Sequence, residues 1–219
     1  MPGEDIEVQN NRMSTNLTIW SFILTIVVAI VGTYVNVSTY WKSWFEEGEI
    51  TAYGSDRVQL FHFKSGQLGI VISNVFDNSG ARSKVIKRLG VLISSRDDER
   101  KYFMEPVHFI SHVDVDGIRQ GATQFSPIEV PPRAGISKIV VFRSDPSSPG
   151  DISILKKGIY KIQLLGWIAG EDDQQVLESF EVSLEKKNAD ALVDWQSKKI
   201  DRATNAYITG IRRAGYANN

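Results

Sequence analysis

The segment EPVHFISHVDVDG, residues 105–117, holds the densest set of groups able to do chemistry. On an extended strand His108, His112, Asp114 and Asp116 fall on one face, because alternate side chains point the same way. Imidazole and carboxylate both ligate divalent cations, so the row is a candidate metal or ligand face. Alternate residues of a straight strand stand about 6.6 Å apart, however, whereas metal ligands converge on one point. The row therefore reads first as a solvated strand face closed by an Asp-Gly turn, and second as a metal site. The remaining histidine, His62, lies on the phase of Val58 and Leu60 in VQLFHFK and is expected to be partly buried and hydrogen-bonded.

Other routes to catalysis leave no short signature. The 219 residues contain no cysteine, which removes thiolate nucleophiles, disulfides, zinc fingers and iron–sulfur clusters together. A Gly-rich phosphate loop, a GxSxG elbow and HExxH are also missing. No cofactor is expected. A formal net charge of -1 supplies no basic field for a phosphate backbone, so nucleic acid is not an expected partner.

From about Ile50 to Leu184 short alternating runs are separated by turn residues, which predicts strands. Leu68, Ile70, Ile72 and Phe76 share one face, as do Leu89, Val91 and Ile93; DNSG at 77–80 reads as a turn. Further runs fall at 101–110, 124–130, 136–143, 159–168 and 176–184, a spacing that suits an antiparallel two-sheet sandwich over 53–185. Pro131 and Pro132 cannot donate to a ladder and separate two runs. RDDERK at 96–101 and GEDDQQ at 170–175 are expected at exposed hairpin tips, where recognition residues often lie. In KKGIYKIQL, Gly158, Tyr160 and Ile162 stand at the spacing of glycine, tyrosine and cysteine in the tyrosine corner of immunoglobulin-like sandwiches. The domain resembles that architecture at this one strand entry. Lys156 stands where the motif often has aspartate, Ile162 replaces the cysteine, and the run at 85–93 has no tryptophan. The resemblance implies a fold shared by many binding and scaffolding proteins and no activity of its own.

A different solvent is written into the first fifth of the chain. No charged residue occurs from Met13 to Trp41, and TIWSFILTIVVAIVGTYV (18–35) is apolar almost throughout. About 20 such residues cross a hydrocarbon layer of about 30 Å as a helix. Residues 17–41 are thus a predicted transmembrane helix, with 1–16 a short polar head and 42–52 a juxtamembrane linker. Trp20 at one end and Tyr40, Trp41 and Trp44 at the other match the interfacial belts. The acidic head and the length of the apolar run point to an uncleaved signal-anchor rather than a cleaved signal peptide. Arg12 competes with Lys42 and Arg57 for orientation. The charges leave the side undecided; a head left in the cytoplasm, the usual single-pass arrangement, would place the domain on the extracytoplasmic side. Ser21, Thr25, Ala29, Gly32 and Thr33 form a stripe of small or polar groups, a surface by which spanning helices approach one another.

After the last strand the period becomes helical. Residues 186–213 are predicted to form an amphipathic helix capped by Asn188, with Leu192, Val193, Ile200, Ala203, Tyr207 and Ile211 on one side. Such a stripe covers the protein's own sandwich or a second protomer. A surplus of basic residues between Glu185 and Arg213 also permits contact with anionic headgroups. Residues 214–219 are expected to be a disordered tail. These features add up to a mainly β, single-pass, membrane-anchored protein without enzymatic activity. It is expected to act as a binding or assembly module near the bilayer. Its partners are lipid and either a membrane-associated protein or a second copy, through the helix stripe or the tail at Leu192, Ile200, Tyr207 and Ile211. A tethered ligand or metal-ion sensor on the His108–Asp116 face is the second reading, and an anchored hydrolase the third.

Overall fold

A computed structural model describes residues 4–63, 65–97, 101–113, 119–145, 155–198, 206–209 and 212–213. The chain divides into two compact units, residues 1–46 and 47–219.

The first unit is one helix, α1 (Glu4–Phe45). It runs further than the sequence suggests at both ends. The polar residues of the expected head are helical from Glu4, and Lys42–Phe45 of the expected linker continue the same helix. A charge at Lys42 does not stop a helix; α1 ends at Phe45, with the Glu46 N–H still donating to the Lys42 carbonyl at 3.2 Å. Within α1, Ile19–Phe45 is 27 residues long and apolar enough to cross a membrane, and none of its most apolar stretch is buried within the chain. Trp20, Tyr40, Trp41 and Trp44 are all more than 60 % exposed. Trp41 stacks on Phe45 with ring centroids 4.3 Å apart.

The second unit is an antiparallel β structure with a short helix. Its strands are β1 (Ile50–His62), β2 (Leu68–Asn78), β3 (Lys84–Ser95), β4 (Lys101–Ile110), β5 (His112–Val113), β6 (Arg119–Gln120), β7 (Thr123–Gln124), β8 (Ile128–Val130), β9 (Gly135–Ser144), β10 (Gly158–Ile168) and β11 (Gln174–Leu184). Helix α2 (Lys186–Lys198) follows, then β12 (Ala206–Thr209) and β13 (Arg212–Arg213). The expected run at 124–130 is two pieces, β7 on β4 and β8 on the start of β3, because Pro127 interrupts the ladder.

The main path of the sheet is β12-β1-β2-β9-β4-β3-β10-β11-β13. β4 joins its two halves: Lys101–Met104 pairs with β3, and Met104–Ile110 pairs with β9, with Val107 as an extra residue between Pro106 and His108. Such a bulge bends a strand and lets it serve two layers. The predicted inward phases hold. Leu68, Ile70, Ile72 and Phe76 from β2 meet Leu89, Val91 and Ile93 from β3 and Ile162, Leu164, Phe180 and Val182 from β10 and β11 in one core. The phenol of Tyr160 donates to the carbonyl of Lys156 at 2.8 Å, the backward bond expected of a tyrosine corner, while Ile162 is buried in the position of its cysteine.

The C-terminal segment departs from its predicted helix. α2 starts at Lys186, with the carbonyl of Glu185 rather than the side chain of Asn188 marking its entry: the N–H groups of Asn188 and Ala189 both donate to it. Ala189 and Leu192 are buried in the core, whereas Val193 is 40 % exposed and so stands off the packed side. Residues 206–209 and 212–213 are strands, not helix. AYIT is rich in aromatic and β-branched residues, and the edge of β1 offers its backbone partners that an isolated helix end lacks.

Candidate functional site

The inward phases of two strands are interrupted by polar residues. On β2, Asn74 stands between Ile72 and Phe76; on β11, Glu178 precedes Phe180, Val182 and Leu184 on the same alternation. Both are buried, Asn74 at 1 % and Glu178 at 9 % exposure. They meet where the two ends of the sheet approach. Glu178 Oε1 accepts the N–H of Gly54 on β1 at 2.9 Å, linking the two ends directly. The Asn74 amide, turned with its nitrogen toward the carboxyl group, donates to Glu178 Oε2 at 3.1 Å and to the Ser73 carbonyl at 3.3 Å. Burying a carboxyl group is costly unless its oxygens accept hydrogen bonds, and here both do. A Cβ at Gly54 would lie 2.7 Å from Glu178 Oε2 and 2.8 Å from the Asn74 amide, so only glycine fits without displacing them.

Irregularity on each side creates the meeting. β1 carries extra residues between Gly54 and Val58 relative to β2, and β11 carries one between Val176 and Glu178 relative to β10. Next to this junction the C-terminal segment closes the seam. Arg57, Val58, Gln59 and Leu60 pair in antiparallel register with Thr209, Ile208, Tyr207 and Ala206. Phe180 and Glu181 pair with Arg213 and Arg212. One short segment thus satisfies both ends of the sheet.

A second fixed point lies where the chain enters the domain. The Glu49 N–H donates to Ser79 Oγ at 2.9 Å and the Ser79 N–H to the Glu49 carbonyl at 3.2 Å. Gly48 and Gly80 cross so closely that a Cβ on Gly48 would lie 1.7 Å from the Gly80 nitrogen. Asn78, fully buried, braces this crossing. Its Nδ2 donates toward the carbonyls of Arg82 (2.8 Å), Pro131 (3.2 Å) and Val130 (3.3 Å), and its Oδ1 accepts the Gly80 N–H at 2.9 Å.

The predicted site residues separate into distinct places. The row at 108–116 is not a straight strand: the chain bends at Ser111, His108 lies on β4 opposite Gln124 and Val141, and His112 pairs with Gln120 in a separate two-stranded sheet. A serine carries no strong breaking signal, so the bend is invisible to alternation. Asp114 and Asp116 lie outside the described residues. Among those described, no three His, Asp or Glu side chains come together to hold a metal ion. His62 is half-buried as expected, but neither ring nitrogen finds a hydrogen-bond partner of good geometry. Burial lowers its pKa from 6.5, with the backbone of Gly66 and Gln67 pulling the other way.

On α1, Thr25 and Thr33 turn their hydroxyls onto the carbonyls of Ser21 and Ala29, each at 2.8 Å. Space for a Cβ at Gly32 is open. Leu192 is buried in the domain's own core. Tyr207 belongs to β12, and Ile200 and Ile211 lie outside the described residues.

Alternation alone also missed an outer-face cluster. Arg88 lies over Trp167 (5.0 Å) and Phe103 (5.7 Å) and pairs with Glu105 at 2.6 Å. Gly90 leaves room beneath these rings: a Cβ there would lie 2.6 Å from Phe103. At the predicted tip 170–175, Glu171 is engaged by Lys84 at 2.8 Å and by Gln175.

No family model matches the chain. No curated protein matches its sequence. Among solved structures, a putative ApaA protein from Bordetella pertussis is similar at 11 % identity over 63 % of this chain and 95 % of its own, with a TM-score of 0.35. The CooA pilin subunit from enterotoxigenic Escherichia coli is similar at 12 % identity over 57 % of this chain and 91 % of its own, with a TM-score of 0.26. Both scores are too low to define a fold or a function. What stands for this chain is a mainly antiparallel β unit with a short C-terminal helix, preceded by an apolar helix able to cross a membrane.

Proposed function

We propose that this is a single-pass membrane protein whose immunoglobulin-like β-sandwich serves, without enzymatic activity, as a binding or assembly module beside the bilayer. The observation that carries the reading is Ile19–Phe45: 27 residues with bulky apolar side chains exposed on all sides. In water that surface is unfavourable by about 25 cal/mol for each Å2, whereas in lipid it is at home. Residues 46–49 alone separate α1 from β1, so covalent length keeps the start of the domain within about 17 Å of the helix end. Partners of the domain are accordingly membrane-associated proteins, a second copy among them. The strand order, the sheet-switching β4 and the Tyr160–Lys156 bond support the immunoglobulin-like reading. The small-residue stripe of α1 is the proposed contact for a partner helix. A signal-anchor orientation with the domain outside the cytoplasm is proposed on the sequence pattern alone.

Three measurements test the reading. Full-length protein should sediment with membranes in detergent-free ultracentrifugation and resist extraction at alkaline pH; recovery in the supernatant would overturn the anchor. Differently tagged full-length copies, co-expressed and solubilised in mild detergent, should co-purify if self-association is the assembly. Protease digestion of intact against lysed cells reads which side residues 50–219 face.

A further inference from the structure

The seam carries a further step, which rests on the assembly reading above. We propose that the gap between β1 and β11 is an exchange site, and that in the assembled protein the strand filling it is the C-terminal segment of a second copy of this chain. β1 and β11 are the two ends of the sheet apart from the tail itself. Ala206–Thr209 pairs antiparallel with Arg57–Leu60 on one side, and Arg212–Arg213 with Phe180–Glu181 on the other. Main-chain register of this kind is the same whichever copy supplies the strand. Exchanged and unexchanged forms therefore contain equivalent bonds, and effective concentration decides between them.

Two features favour exchange over simple opening. Leu192 and Ala189 hold α2 in the core, so only the chain beyond Lys198 has to leave its own domain. The link from Lys198 to Ala206 then spans at most about 28 Å, which limits the donor to an immediate neighbour. An anchor confines copies to one plane and so supplies neighbours at short range. Opening without replacement leaves two unfilled edges, the arrangement that sheet proteins avoid. The Glu178–Gly54 junction stays in place in either form, since both partners belong to the receiving domain.

Absence of native cysteine makes the test clean. Glu181→Cys and Arg212→Cys are placed in separate, differently tagged full-length chains, co-expressed in membranes and oxidised. Register partners stand within disulfide reach. A disulfide-linked heterodimer about ten-fold stronger than that of the mismatched pair Glu181→Cys with Tyr207→Cys is the expected result. The pair Gln59→Cys with Tyr207→Cys reports the other edge and should behave alike, which guards against one variant failing to fold. A chain carrying both Glu181→Cys and Arg212→Cys that closes only on itself, while separate chains give no heterodimer, overturns the proposal. So does an equal yield from matched and mismatched pairs, or no cross-link in any arrangement. Tag co-purification without the matched disulfide would sink strand exchange and leave assembly standing; loss of co-purification would sink assembly itself.

Discussion

Replacing Asn78 by alanine should be among the most damaging single changes in the domain. The residue is fully buried and holds three pieces of chain at once: the Ser79–Arg82 turn, the start of the link from β8 to β9, and, through Gly80, the crossing with Gly48. Its two amide hydrogens are spread over three carbonyls, so two bonds are a fair count, with the Gly80 N–H adding a third. At about 1 kcal/mol for each of three bonds, alanine should cost about 3 kcal/mol, with more if a buried carbonyl is left without water. For a domain of this size 1 kcal/mol moves the midpoint by about 2–4 °C, so the melting temperature should fall by about 6–12 °C. The assay is thermal melting of the full-length protein in detergent, followed by near-ultraviolet circular dichroism, with denaturant unfolding as a check. Asn78→Asp keeps the shape but removes the donors and faces a carboxylate with three carbonyls; it should be worse than alanine near neutral pH and recover as acid protonates it. A loss below about 1 kcal/mol for alanine would refute the reasoning, since it would mean that the crossing is held by something other than this amide.

Tyr160→Phe removes one hydrogen bond of 2.8 Å and little else, so it should lower stability by about 1 kcal/mol; no change in the denaturation midpoint would show that the corner is not load-sharing in solution. His62 has a folded pKa below 6.5, so its neutral form is favoured in the fold. Stability should be level above that value and decline as pH falls through it toward the folded value, because the unfolded chain takes up the proton first; His62→Phe should flatten that part of a stability–pH profile, and an unchanged profile would count against the assignment. Gly32→Leu meets open space on its own helix, so any loss of cross-linking between copies in membranes reports a partner rather than damage to α1; unchanged cross-linking would show that this part of the stripe contacts no partner.

Alternation made most of the β unit legible. The inward phases of β2, β3 and β10 follow from Ile, Leu and Val at every second position, and burial follows from them. The apolar helix was legible for the same reason in reverse, since uninterrupted apolarity over that length suits lipid. Three things were hidden because they depend on distant partners. The bend at Ser111 splits the histidine row with no glycine or proline to mark it. The tail's helical stripe was real as a pattern, but at 206–209 and 212–213 it lost to two sheet edges whose proximity no local rule reveals. The junction at Gly54, Asn74 and Glu178 left a trace, a polar residue on each of two inward phases, yet only the folded sheet shows that the two traces are one site.

That junction also explains why the sheet ends need a separate strand. Among the described residues, the Glu178 side chain links β11 to the Gly54 N–H of β1, and no main-chain ladder pairs these two strands. A side-chain bridge holds two strands at one point and leaves the backbone groups beyond it open. The extra residues after Gly54 shift the register of β1 on β2 at the same place, and from Arg57 onward its free edge is taken up by Thr209–Ala206. Closure of the domain is therefore delegated to Ala206–Thr209 and Arg212–Arg213, which pair with β1 and β11 through the main chain. If α1 anchors the protein as proposed, copies share one plane and such an edge is better kept filled, since an open one would pair with whatever strand lies beside it. On the proposed exchange, filling it with a neighbour's segment in the same register would convert that hazard into a specific contact.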